Sequence, residues 1–227
     1  KETYNSKDKD TYTYRLMSIY QPKAEFLYSM IKEEKNPNQL SYFDFGAGSG
    51  YFVGALKSMG LKKVYGSEVS IKQVNYANKM LGSDSIGHHD FEESIDLLSK
   101  TNCNVVSMIG VLEHLQDPRS ALKVIKDNKN IEYLFLSLPM FSLSVFLEIL
   151  SPEVFHRVLH GGHTHLYTEE SIDFFCEELN FRKVGKWVFG SDIIDLYRHI
   201  NVKLDQIKAS SSLKSFFNNH FSKTIDH

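Results

Sequence analysis

The segment Tyr42-Phe43-Asp44-Phe45-Gly46-Ala47-Gly48-Ser49-Gly50-Tyr51-Phe52 decides the fold of this chain. An apolar run, Leu40 to Phe45, predicts a short buried strand, and three alternating glycines then break it. Apolar residues at i, i+3, i+4 and i+7 follow from Phe52 and predict a helix. The glycines let the backbone turn sharply and approach a ligand, while the helix points its first N–H groups at the same place. The segment therefore predicts the opening of a βαβ nucleotide-binding unit.

The spacing of the glycines indicates which nucleotide is bound. The dinucleotide fingerprint G-x-G-x-x-G needs a third glycine where this chain has Tyr51. The pattern is instead D-x-G-x-G-x-G from Asp44, which resembles the first motif of the class I S-adenosylmethionine (SAM) methyltransferases. The resemblance implies that Asp44 serves the cationic sulfonium and amino acid tail of SAM. It also assigns cofactor binding to the loop itself, namely to Gly46, Ala47, Gly48 and Gly50. The alternative is a glycine-rich turn without a ligand.

An acidic residue ends the second predicted strand, which covers residues 63–67. Glu68 lies 18 residues after Gly50, and an acid about 20 residues beyond such a loop is the expected partner of a ribose diol. The other interpretation is a solvated surface carboxylate. Glu68 and the neighbouring Val69 are therefore predicted to bind the cofactor.

A second acidic position follows the short third strand predicted at 85–88. The resemblance places an acid for the adenine amino group at Asp90 and an apolar contact for the ring at Phe91. Asp90 could equally cap the helix predicted from Phe91 to Leu98.

The segment Gly110-Val111-Leu112-Glu113-His114-Leu115-Gln116-Asp117-Pro118 carries the second motif. It resembles the V-L-E-H-x-x-D-P signature of ubiquinone-type and related small-molecule methyltransferases. The resemblance implies that Ile109, Gly110 and Leu112 line the SAM pocket, and that Glu113 and His114 face the reaction centre. Asp117 followed by Pro118 predicts a helix start, because Asp caps and Pro fits the first helical position.

Histidines in a Gly-Gly loop supply further catalytic candidates, His163 and His165. The hypothesis is that Glu113, His114 and one loop histidine meet near the transferred methyl, where a histidine acts as the base or orients the acceptor. Small-RNA methyltransferases of similar motif hold a metal with Glu-x-x-Glu-His and a later histidine. Gly110 stands at the first Glu position here, so that site would be one ligand short. Two nitrogens and one carboxylate could still hold a metal weakly, with open positions, but no metal is assigned. The alternative is that these histidines are packed or surface groups.

The pattern along the chain predicts an α/β fold with a doubly wound, mostly parallel sheet in one domain, 1–227. Residues 1–39 form an N-terminal helical cover, in which 1–13 are loose and the helix 21–34 covers the sheet edge or forms a lid. Residues 40–189 form the SAM-binding core with a cap insertion at 141–165 and six strands. The fifth strand, at 131–138, is mostly apolar and is predicted to be buried on both faces, and the sixth lies at 181–189. The helix before the sixth strand is predicted to end at a left-handed Asn180. Residues 190–227 form a helical extension, because helical spacing stands where the family usually has a seventh strand.

Composition and charge limit the kinds of partner that this chain is expected to bind. The chain has 227 residues and a formal net charge of −2, so it lacks the basic footprint of a nucleic-acid-binding protein. No apolar run is long enough to span a membrane. Cys103 and Cys176 lie in apolar patterns and are predicted to be core thiols of a reducing, cytoplasmic compartment. The apolar segment 141–159 is predicted to wall the acceptor pocket or to form a homodimer face.

These features predict a SAM-dependent methyltransferase acting on a small molecule. The acceptor atom is expected to be an oxygen of a sugar, a sugar nucleotide or a quinone-like metabolite. Two alternatives from other classes are a SAM-binding regulatory subunit without catalysis and an NAD-dependent oxidoreductase. Glu113 and the histidines argue against the first, and Tyr51 argues against the second.

Overall fold

The computed structural model describes residues 6–150, 159, 162–188 and 192–225. Backbone contacts group the chain into two compact units. The first unit comprises Lys1–Leu138 and Glu170–Lys186, and the second comprises Pro139–Glu169 and Trp187–His227.

A parallel sheet forms the centre of the first unit, with the strand order β3-β2-β1-β4-β5. The strands are β1 Tyr42–Phe45, β2 Val64–Glu68, β3 Ile86–His88, β4 Val105–Ile109 and β5 Tyr133–Ser137. The order reverses beside β1, because the chain first adds strands on one side of β1 and then on the other. This is the predicted doubly wound arrangement, in which ligands bind at the carboxyl ends of the strands near the reversal.

Helices precede, connect and follow these strands. They are α1 Ser6–Arg15, α2 Gln21–Lys32, α3 Tyr51–Ser58, α4 Ile71–Leu81, α5 Ser94–Lys100, α6 Pro118–Asp127 and, later in the chain, α8 Glu169–Glu178. A π-helix, Leu16–Tyr20, joins α1 to α2. The predicted start of α6 is confirmed, since the Asp117 carboxylate accepts a hydrogen bond of 3.0 Å from the Ser120 N–H. The left-handed end expected at Asn180 is also confirmed, with φ at 54°.

The core of the first unit lies on both faces of the central strands. Tyr42, Val64 and Val105 are buried on neighbouring strands, and α3 packs Phe52 and Leu56 onto them. Such two-sided cover is typical of parallel sheets, whose crossover helices occupy the faces.

The second unit contains α7 Leu143–Leu150, α9 Asp192–Gln206 and α10 Ser211–Ile225. The Tyr197 ring on α9 stacks on Phe217 and Phe221 of α10, with ring centroids 5.7 and 5.1 Å apart. Met140 and Tyr167 form an isolated parallel bridge. The helix predicted after Ser191 is confirmed as α9.

Three predictions about these elements are wrong. The N-terminal segment is helical from Ser6, because α1 buries Tyr12 while its other described side chains stay exposed. Residues 181–188 are irregular and mostly exposed instead of forming a sixth strand, and Phe189 lies outside the described residues. Strand β5 is half-buried along its length, since β4 is the only strand it pairs with in the described sheet.

The two cysteines and the 141–165 insertion agree with the predictions only in part. Cys103 is a buried thiol as expected, whereas Cys176 is half-buried. The 141–165 insertion includes α7, and its residues 151–158, 160 and 161 lie outside the described residues. Within the part of the chain that the structure describes, no helix combines the length and apolar character needed to cross a membrane.

Candidate functional site

A cavity of about 310 Å³ opens at the carboxyl ends of β1, β2 and β4, within the first unit. Its lining is formed by Arg15, Tyr20, Asp44, Gly46, Ala47, Gly48, Ser49, Tyr51, Glu68, Gln73, Ile109 and Gly110. Seven of these residues are among the cofactor-binding residues predicted above. The cavity therefore lies where the strand order reverses, which is the expected ligand position in an open α/β sheet.

The glycine loop lines the cavity, and its backbone is left-handed at alternate residues. Gly46, Gly48 and Gly50 have φ values of 70°, 54° and 74°, which residues with a Cβ rarely adopt. A Cβ at Gly46 would lie 2.6 Å from Cγ2 of Val111, so this position is also closed sterically. The loop backbone therefore has no side chain at these three positions, which allows a ligand to approach it closely.

Glu68 holds this loop in place. Its carboxylate accepts one hydrogen bond from the Gly48 N–H and another from the Ser70 N–H, each 2.9 Å long. Glu68 is 7% exposed, so the interpretation as a solvated surface carboxylate is wrong. Glu68 therefore lines the cavity and also links the glycine loop to the residue before α4 through these two hydrogen bonds.

Asp44 places a second buried carboxyl group in the cavity. It is 3% exposed and accepts a hydrogen bond of 2.6 Å from the Ser107 hydroxyl on β4. Burial raises the pKa of Asp44 from its ordinary 3.8 to about 7, and the nearby Glu68 carboxylate adds to this rise while Ser107 opposes it. A cationic ligand group in the cavity would stabilise the ionised form of Asp44.

The N-terminal elements add residues that the sequence did not predict. Arg15 and Tyr20, at the two ends of the π-helix, line the cavity together with Tyr51 of α3. The Tyr20 and Tyr51 rings stack with centroids 5.1 Å apart, and the Arg15 guanidinium lies 5.3 Å from the Tyr51 centroid. Tyr12 also stacks on Tyr51, with ring centroids 4.5 Å apart. These contacts join the lid-like N-terminal segment to the glycine loop helix.

Ser49 and Gln73 also line the cavity and were not predicted. Ser49 lies between two predicted loop residues, so its position in the motif could have indicated it. Arg15 and Tyr20 had no such local signal, because they lie well before the glycine loop and outside both motifs.

Five predicted cofactor-binding residues are absent from the cavity lining. They are Gly50, Val69, Asp90, Phe91 and Leu112. Gly50 is the N-terminal flank of α3, and Leu112 is fully buried in the core. Phe91 is 51% exposed, and the Asp90 side chain makes no capping hydrogen bond to the 3₁₀ helix Phe91–Glu93. The capping role considered for Asp90 is therefore not observed.

The predicted catalytic residues fall in both units. In the first, Glu113 is 2% exposed and His114 is exposed, both on the 3₁₀ helix Leu112–His114 directly after β4. In the second, His163 and His165 are half-buried; His165 Nδ1 lies 2.9 Å from the Thr164 hydroxyl oxygen, and its ring stacks 6.2 Å from that of Tyr167. Their common action at one reaction centre stays a prediction.

Comparisons with solved structures show the same fold. Magnesium protoporphyrin IX methyltransferase from Synechocystis PCC 6803, solved with bound S-adenosylhomocysteine (SAH), has a TM-score of 0.53 and 17% identity over 79% of this chain and 78% of that one. A SAM-dependent methyltransferase from Thermotoga maritima has a TM-score of 0.51 and 14% identity over 78% of each chain. An O-methyltransferase family protein from Burkholderia thailandensis has a TM-score of 0.53 and 13% identity over 82% of this chain and 58% of that one.

The comparison of sequence families is more specific. A family described as a methyltransferase domain matches residues 18–185, which is more than half of the chain. No functionally curated protein sequence matches. The matched range contains the glycine loop, both buried carboxylates and the V-L-E-H segment. The chain therefore belongs to the methyltransferase domain family and is a class I SAM-dependent methyltransferase, with SAM as its cofactor.

Proposed function

We propose that this enzyme transfers the methyl group of SAM to an oxygen atom of a small-molecule acceptor. A sugar, a sugar nucleotide or a quinone-like metabolite is the expected kind of acceptor. The observation that supports SAM binding in this cavity is the pattern of charged side chains in its lining. Two buried carboxylates, Asp44 and Glu68, line the cavity, and Arg15 adds a cation to the lining. This pattern suits SAM, which carries two cationic groups and one carboxylate.

The adenosine half of SAM is assigned to the β2 and β3 side of the cavity. Glu68 accepts hydrogen bonds there from backbone N–H groups, and a carboxylate has further lone pairs for the ribose hydroxyls. Asp90 and the exposed Phe91 ring follow β3 and would receive the adenine amino group and ring. Val69, directly after β2, is assigned to this side as an apolar neighbour. Ile109 and Leu112, at and after the end of β4, are assigned to the apolar surroundings of the other side.

The amino acid half of SAM is assigned to the β1 and β4 side. Asp44 would ionise beside the cationic amino and sulfonium groups, and Arg15 would pair with the carboxylate. The loop residues Gly46 to Gly50 and Gly110 allow the close backbone approach that this requires.

The cofactor, when bound, supplies an electrophilic methyl group on a sulfonium. The chain's own task is to hold the acceptor oxygen in line with that group and to exclude water. An acceptor hydroxyl also needs a base, and His114 or His165 is assigned this role because imidazole titrates near neutral pH. Glu113 and His163 are assigned supporting roles, and no metal is assigned.

The acceptor class rests on indirect support. The net charge of −2 argues against a nucleic acid, and one structural neighbour carries the name O-methyltransferase. The ubiquinone-type subfamily, the homodimer, the single domain and the cytoplasmic location stay predictions. Sedimentation of the purified protein would test the dimer.

The experiment that tests this function uses SAM with fractions of a small-molecule extract. Mass spectrometry should detect a product heavier than an extract component by one methylene, and SAH should appear in equal amount. Substituting His114→Ala or His165→Ala should then reduce turnover by about 10²–10⁴ for the histidine that acts as base, with SAM affinity unchanged. A chelator should leave the wild type active. Full activity in both variants would contradict the histidine assignment.

A further inference from the structure

A lysine outside both motifs reaches the carboxyl end of the sheet. Lys23 lies in the first turn of α2, and its Nζ donates a hydrogen bond of 2.6 Å to Oγ of Ser137, the last residue of β5. Ser137 is paired with Ile109, and its carbonyl accepts a hydrogen bond of 2.9 Å from the Gly110 N–H. Ile109 and Gly110 line the cofactor cavity. The Lys23 ammonium therefore lies one strand away from the cavity wall.

A second contact places Lys23 beside the cavity independently of the strands. Its Nζ lies 5.9 Å from the centroid of the Tyr20 ring, and Tyr20 lines the cavity. The strand order puts Glu68 and Ser137 on opposite sides of β1 and β4. Lys23 thus lies on the side away from the ribose acid, next to the end of the cavity assigned to the sulfonium.

The charge on Lys23 is only partly balanced by protein groups. The side chain is half-buried, and among the described residues no carboxylate forms an ion pair with it. Burial lowers the pKa of Lys23, and the buried Glu113 carboxylate opposes this change. An ammonium has three donors and Ser137 uses one of them, so Lys23 can donate further hydrogen bonds to a ligand.

We propose that Lys23 and Ser137 bind an acidic oxygen of the methyl acceptor, a carboxylate or an ionised phenol, and hold it as the oxyanion beside the transferred methyl. The inference rests on the proposed function of the cavity. The oxyanion forms the new oxygen–carbon bond while the carbon–sulfur bond breaks and its electron pair stays on sulfur. No proton moves in that step. A carboxylic acid is already ionised at neutral pH, and a phenol gives its proton beforehand to the histidine assigned as base.

This assignment narrows the acceptor. A charge-assisted hydrogen bond from an ammonium is strongest to an anionic oxygen in a site with little water. Phenolic precursors of quinone-like molecules and carboxylic acids meet that requirement. The hydroxyls of a neutral sugar do not, since they are far too weakly acidic to be held as anions by an ammonium. Among the acceptors considered above, the quinone-like class is the one that fits.

The test uses the protein–SAH complex and small aromatic probes. Benzoate and 4-nitrophenolate are the anions, and benzamide and nitrobenzene are neutral molecules of matched shape. Affinities are measured by ligand-observed NMR for the wild type, Lys23→Met and Lys32→Met. Lys32 is the control, because it is an exposed lysine in the last turn of the same helix. SAH affinity and melting temperature are measured for every variant.

The anions should bind the wild type more tightly than the neutral probes, and Lys23→Met should weaken anion binding by about tenfold to a hundredfold. Lys32→Met should bind all probes as the wild type does, and SAH affinity should be unchanged throughout. If Lys23→Met does not fold, Ser137→Ala replaces it, with an expected loss of about fivefold. Unchanged anion affinity in these variants, or no preference for anions in the wild type, would overturn the inference alone. Failure of the wild type to bind SAH would overturn the proposed function itself.

Discussion

Glu68 combines two roles that a sequence motif does not separate. The strand-end acid is predicted to bind ribose, and the structure adds that it holds the glycine loop through the Gly48 and Ser70 N–H groups. A residue that shapes its own binding site affects both stability and affinity. Substitution effects at Glu68 must therefore be measured on the unliganded protein and on the complex.

Glu68→Ala should lower the free energy of unfolding of the unliganded protein by about 2 kcal/mol, because hydrogen bonds to a charged acceptor are lost. It should also weaken SAM binding by about 1.5–3 kcal/mol. Urea unfolding and calorimetry measure the two effects. Glu92→Ala is the control, an exposed acid in a 3₁₀ helix. If the two unliganded variants unfold with the same free energy, the hydrogen bonds of Glu68 to Gly48 and Ser70 do not contribute to stability.

Asp44 makes stability depend on pH. Burial in the folded protein raises the pKa of the Asp44 carboxyl group from its ordinary 3.8, the value for the unfolded chain, to about 7. Between these values the folded state binds more protons, so stability falls as pH rises and levels off above pH 7. The expected loss between pH 5 and pH 7 is on the order of 2–3 kcal/mol.

Comparison with Asp44→Asn isolates this effect, since an amide oxygen can still accept from Ser107 but does not titrate. Urea unfolding of both proteins at pH 5 and pH 7.5 should show the loss in the wild type alone. SAM affinity of the wild type should rise with pH up to about 7, because the cationic ligand favours ionised Asp44. The same pH dependence in both proteins would assign the titration to other groups.

A matched pair of tyrosines tests the packing of the N-terminal segment. The buried Tyr12 hydroxyl has no hydrogen-bond partner among the described residues, whereas the Tyr42 hydroxyl donates to the Pro37 carbonyl at 2.9 Å. Tyr12→Phe should be neutral or stabilising, and Tyr42→Phe should cost about 1 kcal/mol. Thermal unfolding measures both. A loss at Tyr12 as large as that at Tyr42 would show that its hydroxyl has a partner.

At the scale of elements, the glycine loop is closed to larger residues for two separable reasons. Gly46 has φ at 70° and a Cβ there would meet Val111, whereas Gly60 has φ at 88° and open space around it. Gly60→Ala should therefore cost about 1 kcal/mol from backbone strain alone, and Gly46→Ala should cost about 1–3 kcal/mol more. Equal melting temperatures for the two variants would show that the contact with Val111 does not add to the cost at position 46.

Local patterns predicted the elements whose signals are local. The apolar run before Gly46, the Asp117-Pro118 start and the left-handed Asn180 each depend on a few neighbouring residues. Asp44 was predicted from the D-x-G-x-G-x-G motif and Glu68 from its spacing of 18 residues after Gly50, and both line the cavity.

Two of the failures concern contacts between distant segments, and the third, the sixth strand, concerns a local pattern. Arg15 and Tyr20 reach the cavity through a helix that looks polar in sequence, because α1 buries Tyr12 alone among its described side chains. The apolar residues Phe181, Val184 and Trp187 are spaced by three, so they cannot share one face of a strand. The Lys23–Ser137 contact joins residues 114 positions apart. No periodicity indicates such a pair.

At the scale of the whole molecule, the sheet, the glycine loop and the N-terminal segment belong to the first compact unit. Everything that lines the cofactor cavity lies in that unit. Binding of SAM should therefore stabilise the elements that make up most of the hydrophobic core. Ligand binding to the folded state alone raises stability by mass action, which makes thermal unfolding a direct reporter of the cavity's specificity.

The central claim is that this cavity is a SAM site. At 100 times its Kd, SAM or SAH should stabilise the protein by about 2.7 kcal/mol, which corresponds to a rise in melting temperature of roughly 5–10 °C for a chain of this size. Glu68→Ala should need a higher ligand concentration for the same rise, and NADH should leave the melting temperature unchanged. A rise with NADH and none with SAM or SAH would contradict the account.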